Sequence, residues 1–172
     1  MKLRNIEVKL PVADPNALQQ SIEQLADGPA ETLHQTDTYF DVGPNAYLKM
    51  REENGRSTLV AYRRSRAAEL RPSDIKLSVV ENGPDLIETL AKAAPVIITV
   101  IKKRRLYFQE QTRIHLDEVE SLGWFLELEV VLQSDQSDQD GLDIARQLLT
   151  DLKMDQVSPC SDSYRDLLLR VG

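Results

Sequence analysis

Cysteine is nearly missing from this chain: Cys160 is the one example in 172 residues. A single cysteine excludes an intramolecular disulfide framework, and an intracellular, cytoplasmic setting is the expectation that follows. Histidine is scarce as well, with two residues, so no Cys/His cluster competes for a metal. Long apolar runs are absent. Nothing approaches the ~20 consecutive apolar residues of a membrane span, and the opening MKLRNIEVKL lacks the apolar segment of a signal peptide. Linkers rich in Gly, Ser or Pro, low-complexity tracts and internal repeats are also missing, so residues 1–172 are expected to form a single domain. Positive charge is in deficit: 21 Lys and Arg face 28 Asp and Glu, a formal net charge of -7. That balance argues against a general nucleic-acid binder. Neither nucleic acid nor membrane is expected as a partner.

What is present is alternation. Period-two patterning or strand-forming composition predicts strands over 3–9, 35–42, 46–53, 57–65, 74–80, 96–110 and 111–119, then over the run WFLELEVVL from Trp124 to Leu132. Asn54-Gly55 is a tight hairpin signal between two of them. Helices are predicted from Asp14-Pro15 to about Ala26, from about Pro84 to Ala94, and from Gly141 to Leu152. SYRDLLLRV at the C-terminal end reads as helix or strand. Strands in mostly hairpin-linked order imply an α+β protein built on an antiparallel sheet or barrel rather than a doubly wound fold.

Residues two apart on a strand share a face. By that rule Glu7 pairs with Lys9, Lys49 with Arg51, Tyr62 with Arg64, Lys102 with Arg104, and Glu127 with Glu129, while Arg113, His115 and Asp117 align. Apolar residues occupy the other faces. An open sheet with one wet face would give such a pattern. Two features favour a charged interior instead. The amphipathic helices need apolar strand faces to cover, and the ionised residues are segregated, with cations on most strands and carboxylates paired at Glu127 and Glu129. Cations opposite carboxylates are the composition that holds a polyanion together with a divalent metal. For the run KKRR at 102–105, parity sends Lys103 and Arg105 away from Lys102 and Arg104 and makes them surface residues.

The ordered set of segments NIEVK, QTDTYFDV, LKMREE, VIKKRRLYF, TRIHLDEVESLGWFLELEV and SYRDLL resembles the CYTH family, the triphosphate tunnel metalloenzymes, over nearly the whole chain. The resemblance implies an eight-stranded antiparallel β-barrel, a triphosphate tunnel, with helices on its outside. It implies metal ligation by Glu7, Glu127 and Glu129, with Asp117 as a further ligand or as a group supporting the ligands, and Mg²⁺ or Mn²⁺ suited to all-oxygen ligation. It implies triphosphate binding by Lys9, Lys49, Arg51, Arg64, Lys76, Lys102, Arg104 and Arg113, and catalysis by Glu7, Lys9, Arg64, Lys102 and Arg104. One residue departs from the family signature Glu-x-Glu-x-Lys: Asn5 stands where the first glutamate is expected. The implied activity is metal-dependent hydrolysis of inorganic tripolyphosphate or a small organic triphosphate. The alternatives are a class IV-type adenylate cyclase, which converts ATP to cyclic AMP and pyrophosphate, and a non-catalytic polyphosphate- or nucleotide-binding module. A homodimer is common among similar proteins. His115 is open to two readings, a general base or a packed histidine; Tyr39, Tyr47 and Tyr107 read as structural.

Overall fold

Twelve elements follow one another along the described residues of the structure, a computed structural model that describes residues 4–44, 46–63 and 74–172. They are β1 (Asn5–Val12), α1 (Pro15–Leu25), β2 (Glu31–Phe40), β3 (Ala46–Glu53), β4 (Arg56–Arg63), β5 (Asp74–Val80), α2 (Gly83–Ala91), β6 (Val96–Gln109), β7 (Thr112–Val119), β8 (Gly123–Val131), α3 (Asp138–Asp151) and α4 (Tyr164–Val171). The strands form one eight-stranded antiparallel sheet, hydrogen-bonded in the order β1-β8-β7-β6-β2-β3-β4-β5. The α+β class and eight strands are as the sequence implied. Among the described residues, β1 and β5 end the order and no ladder joins them. No described helix is long and apolar enough to cross a membrane.

Local chemistry sets the boundaries. Asp14 caps α1 by accepting from the Ala17 amide at 3.0 Å, ahead of Pro15 at a position where its missing N–H costs nothing. Ser137 and Asp140 form a capping box that starts α3 three residues before the predicted Gly141. Ser163 caps α4, which decides the ambiguous SYRDLLLRV for helix. Asn54 and Gly55 both adopt positive φ, 47° and 81°, as the tight hairpin requires. Gly83 begins α2 against β4; a Cβ there would lie 2.2 Å from Ser57 Oγ, so only glycine fits.

The chain divides into two compact units. The first comprises residues 1–32, 103–119 and 123–161. Here β1 pairs with β8 and β8 with β7, in a register that places Val8, Leu128 and Ile114 in one row and Leu10, Leu126 and Leu116 in the next. These residues pack with Leu18 and Ile22 of α1 and Leu148 and Leu149 of α3 into the main core, where Leu10, Ile22, Ile114, Leu116, Leu126 and Leu128 are sealed from solvent. Each fully buried leucine or isoleucine contributes roughly 1.5–3 kcal/mol of apolar transfer. The second unit comprises residues 33–102, 120–122 and 162–172. In it β2, β3, β4 and β5 are successive antiparallel neighbours, and α2 packs on β3 and β4.

Candidate active site

In the first unit the face opposite the core is ionised. The register sets Glu7, Glu129 and Arg113 in one cross-strand row and Lys9, Glu127 and His115 in the adjacent row. Glu129 accepts from Asn5 Nδ2 at 2.9 Å and from Arg113 Nη1 at 3.2 Å. Glu127 Oε1 accepts from Arg104 Nη2 at 3.0 Å and lies 2.8 Å from His115 Nδ1. Burial, then the charge and hydrogen bond of Glu127 and the charge of Glu129, push the Glu7 carboxyl up to about 7, while Lys9 pulls the other way. Glu7 is exposed as a residue, so the crowding carboxylates are the sturdier cause. Carboxylates this close repel one another unless a proton or a cation intervenes.

Among the described residues, no three acidic, histidine or cysteine side chains form a ready-made metal cage. The Glu127 and Glu129 carboxylates are instead engaged by cations or by the Asn5 amide. The donor set nonetheless suits a hard divalent cation: the oxygens of Glu7, Glu127 and Glu129 share one sheet face, and their mutual repulsion is what such an ion relieves. Asp117 is placed differently. It is fully buried, and its two oxygens accept from Arg104 Nε and Nη2, each at 2.7 Å. This bidentate fork commits Asp117 to aiming Arg104, so the structure does not place it with the glutamates as a metal ligand.

The second unit presents a cationic face. Asp37 stands opposite Arg51, and Tyr39 opposite Lys49. Asp37 accepts from Arg51 Nε, Arg51 Nη2 and Lys49 Nζ, all at 2.7 Å. Burial alone would raise the Asp37 pKa, but the hydrogen bonds from Arg51 and the charges of Lys49 and Arg51 hold it well below the carboxylate range. Burial lowers Lys49 to about 8, assisted by the charges of Arg51 and Lys102 and opposed by Asp37. Burial, then Tyr62 and Asp37, raises the Tyr39 phenol far above its usual value. Lys102 is buried, with its ammonium 5.0 Å from the centroid of the Tyr164 ring.

Lys76 does not join this group. The pairing of Ala61 with Lys76 and of Val60 with Leu77 puts Lys76 on the face opposite Lys49 and Arg51. There it lines a groove of about 330 Å³ with Leu48 and Ala61. The strand alternation of IKLSV, with Leu77 and Val79 on the side of Lys49, is the reason. Arg64 lies outside the described residues. Arg105, as parity predicts, turns away from Arg104 and stacks over Trp124. Sequence reasoning missed one residue: Asp37 has no role in the reading of QTDTYFDV, because only strand register sets its partner Arg51 opposite it.

These observations can be set beside known proteins. No curated protein matches the chain. Among solved structures, the PH1012 protein of Pyrococcus horikoshii OT3 is 24% identical with a TM-score of 0.78, covering 95% of this chain and 98% of its own. An adenylate cyclase candidate from Vibrio parahaemolyticus is 19% identical, TM-score 0.70, covering 98% and 99%. HpAC1 from Hippeastrum, an adenylyl cyclase candidate described as having a dominant triphosphatase activity, is 16% identical, TM-score 0.70, covering 99% and 96%. These likenesses show the fold. The CYTH domain profile matches residues 3–164, and with that span the chain belongs to the CYTH domain family.

Proposed function

We propose that this protein is a divalent-metal-dependent phosphohydrolase acting on inorganic tripolyphosphate or a small organic triphosphate. The observation that carries the reading is the segregation of charge: crowded glutamates on the β1, β8 and β7 face, and cations held by a buried aspartate on the β2 and β3 face. Membership of the CYTH family and the activity ascribed to HpAC1 support it. Glu7, Glu127 and Glu129 would hold Mg²⁺ or Mn²⁺, which when bound neutralises charge on phosphate oxygens.

The chain's own residues do the rest. Phosphoryl transfer asks for positioning and charge neutralisation more than covalent chemistry. Arg51 offers a guanidinium already fixed by Asp37, so little ordering remains when it binds phosphate. Lys49 and Lys102 add point charges that stabilise the oxygen on which negative charge grows as the bridging P–O bond breaks. Arg104, clamped by Asp117, and Lys9 and Arg113 supply further cations. Water attack on the terminal phosphorus of tripolyphosphate yields orthophosphate and pyrophosphate.

The test is an incubation of the purified protein with Mg²⁺ or Mn²⁺ and either tripolyphosphate or ATP, following orthophosphate, pyrophosphate and cyclic AMP. Orthophosphate release is the expected result. Cyclic AMP with pyrophosphate from ATP would replace the reading by a cyclase, and tight binding without turnover would replace it by a binding module.

A further inference from the structure

The cationic face of the second unit holds a residue that none of the foregoing uses. Arg165, in the first turn of α4, has a side chain only 19% exposed. Its guanidinium carbon lies 5.0 Å from the centroid of the Tyr47 ring and 5.8 Å from that of Tyr39. Such aromatic contacts hold the cation by its π face and use none of its N–H groups. Among the described residues, its one hydrogen bond is from Nη1 to the adjacent Asp166, at 3.2 Å. A guanidinium has five N–H donors. Lys49 and Arg51, in the same unit, are bound to Asp37; Arg165 sits beside them with most of its fork uncommitted and its desolvation cost already met by packing.

The surroundings indicate what it would take. Lys49 approaches the same Tyr39 ring, at 5.3 Å from the centroid. Tyr47 stacks in parallel on Tyr62, with centroids 4.8 Å apart and planes 5° from parallel. Arg165 and Lys49 thus occupy Tyr39, and Arg165 and Tyr62 occupy Tyr47. The ring surface that could hold an aromatic base is used internally, and N–H donors are presented in its place.

We propose that Arg165 is a specificity-determining phosphate contact. It would bind one of the two free end phosphoryl groups of inorganic tripolyphosphate and select it over a nucleoside triphosphate, which has a single free end and whose phosphate at the other end is esterified and carries one ionisable oxygen fewer. This rests on the triphosphate reading above and deepens it. Bidentate pairing with phosphate is the geometry to which a pre-oriented guanidinium is suited.

Calorimetric titration of the full chain with tripolyphosphate and with ATP, in the presence of Mg²⁺, tests this on the unaltered protein, Arg165→Met and Arg165→Lys. Methionine keeps an unbranched side chain against the tyrosines and removes charge and donors. Arg165→Met is expected to weaken tripolyphosphate binding by about tenfold or more and to leave ATP binding unchanged, with Arg165→Lys recovering part of the loss. Equal weakening of both ligands, no change in either, or tighter ATP than tripolyphosphate binding by the unaltered protein would overturn the proposal alone. Binding of neither ligand by the unaltered protein would overturn the triphosphate reading and the proposal with it.

Discussion

Two buried aspartates, one in each compact unit, solve the same problem amid opposite surplus charge. On β7 the buried Asp117 grips Arg104 in a fork with both bonds at 2.7 Å, and on β2 the buried Asp37 grips Arg51 in a fork of the same length. Around the first fork gather Glu7, Glu127 and Glu129; around the second gather Lys49, Lys102 and Arg165. The shared device aligns a guanidinium that would otherwise lose side-chain entropy on binding an anion. On the proposed reading the differing surroundings suit different partners: surplus carboxylate a metal cation, and surplus ammonium and guanidinium a phosphate.

The forks themselves offer the sharpest way to break this comparison. Asp117→Ala removes the fork from a guanidinium whose side chain is 10% exposed and leaves it leaning on Glu127, whereas Arg51 is 28% exposed and can turn toward water, and Lys49, lowered to about 8, can shed its proton. Removing Asp117 is therefore expected to cost about 3–5 kcal/mol in chemical denaturation, and Asp37→Ala measurably less. Equal losses would show that the forks are energetically alike. Next in size, Glu129→Gln is expected to reduce metal-dependent phosphate release by about a hundredfold or more while its thermal midpoint stays close to that of the unaltered protein. Turnover at the unaltered rate would remove Glu129 from the metal set.

A smaller effect separates the faces by pH. Lys49, lowered to about 8 in the ligand-free protein, carries its charge below that pH and loses it above. Tripolyphosphate affinity is thus expected to fall as pH rises through this range, and Lys49→Arg, charged throughout, is expected to flatten the profile. An unchanged profile in the variant would assign the inflection elsewhere. The smallest expected effect is at Lys76. Because Lys76 lies on the opposite side of β5 from Leu77, Lys76→Ala is expected to leave tripolyphosphate affinity within about twofold.

Much of this arrangement was legible in the letters because strands write their two faces alternately. LKMRE and FLELEV each read as one apolar and one ionised face, and the structure places them so, with Met50, Leu126 and Leu128 fully buried. The Asn54-Gly55 hairpin and the helix at Asp14-Pro15 followed from turn and cap chemistry. What stayed hidden depended on register or on folding at a distance. Asp37 becomes a clamp only because Arg51 stands opposite it, a relation that strand pairing creates. Asp117 looks like a ligand in LDEVE until Arg104, on another strand, takes both its oxygens. Lys76 lies apart from Lys49 and Arg51 because the alternation of its own strand puts Leu77 and Val79 on their side. The apolar spacing of SYRDLLLRV fits either period, so Arg165 has no face to belong to until Ser163 caps a helix.

The division of labour is tested most directly by Mn²⁺ titration of phosphate-free protein, read by electron paramagnetic resonance, on the unaltered chain, Glu129→Gln and Arg51→Met. Loss of Mn²⁺ affinity in Glu129→Gln with retention in Arg51→Met is the predicted result. Equal affinity in the unaltered chain and Glu129→Gln would contradict it.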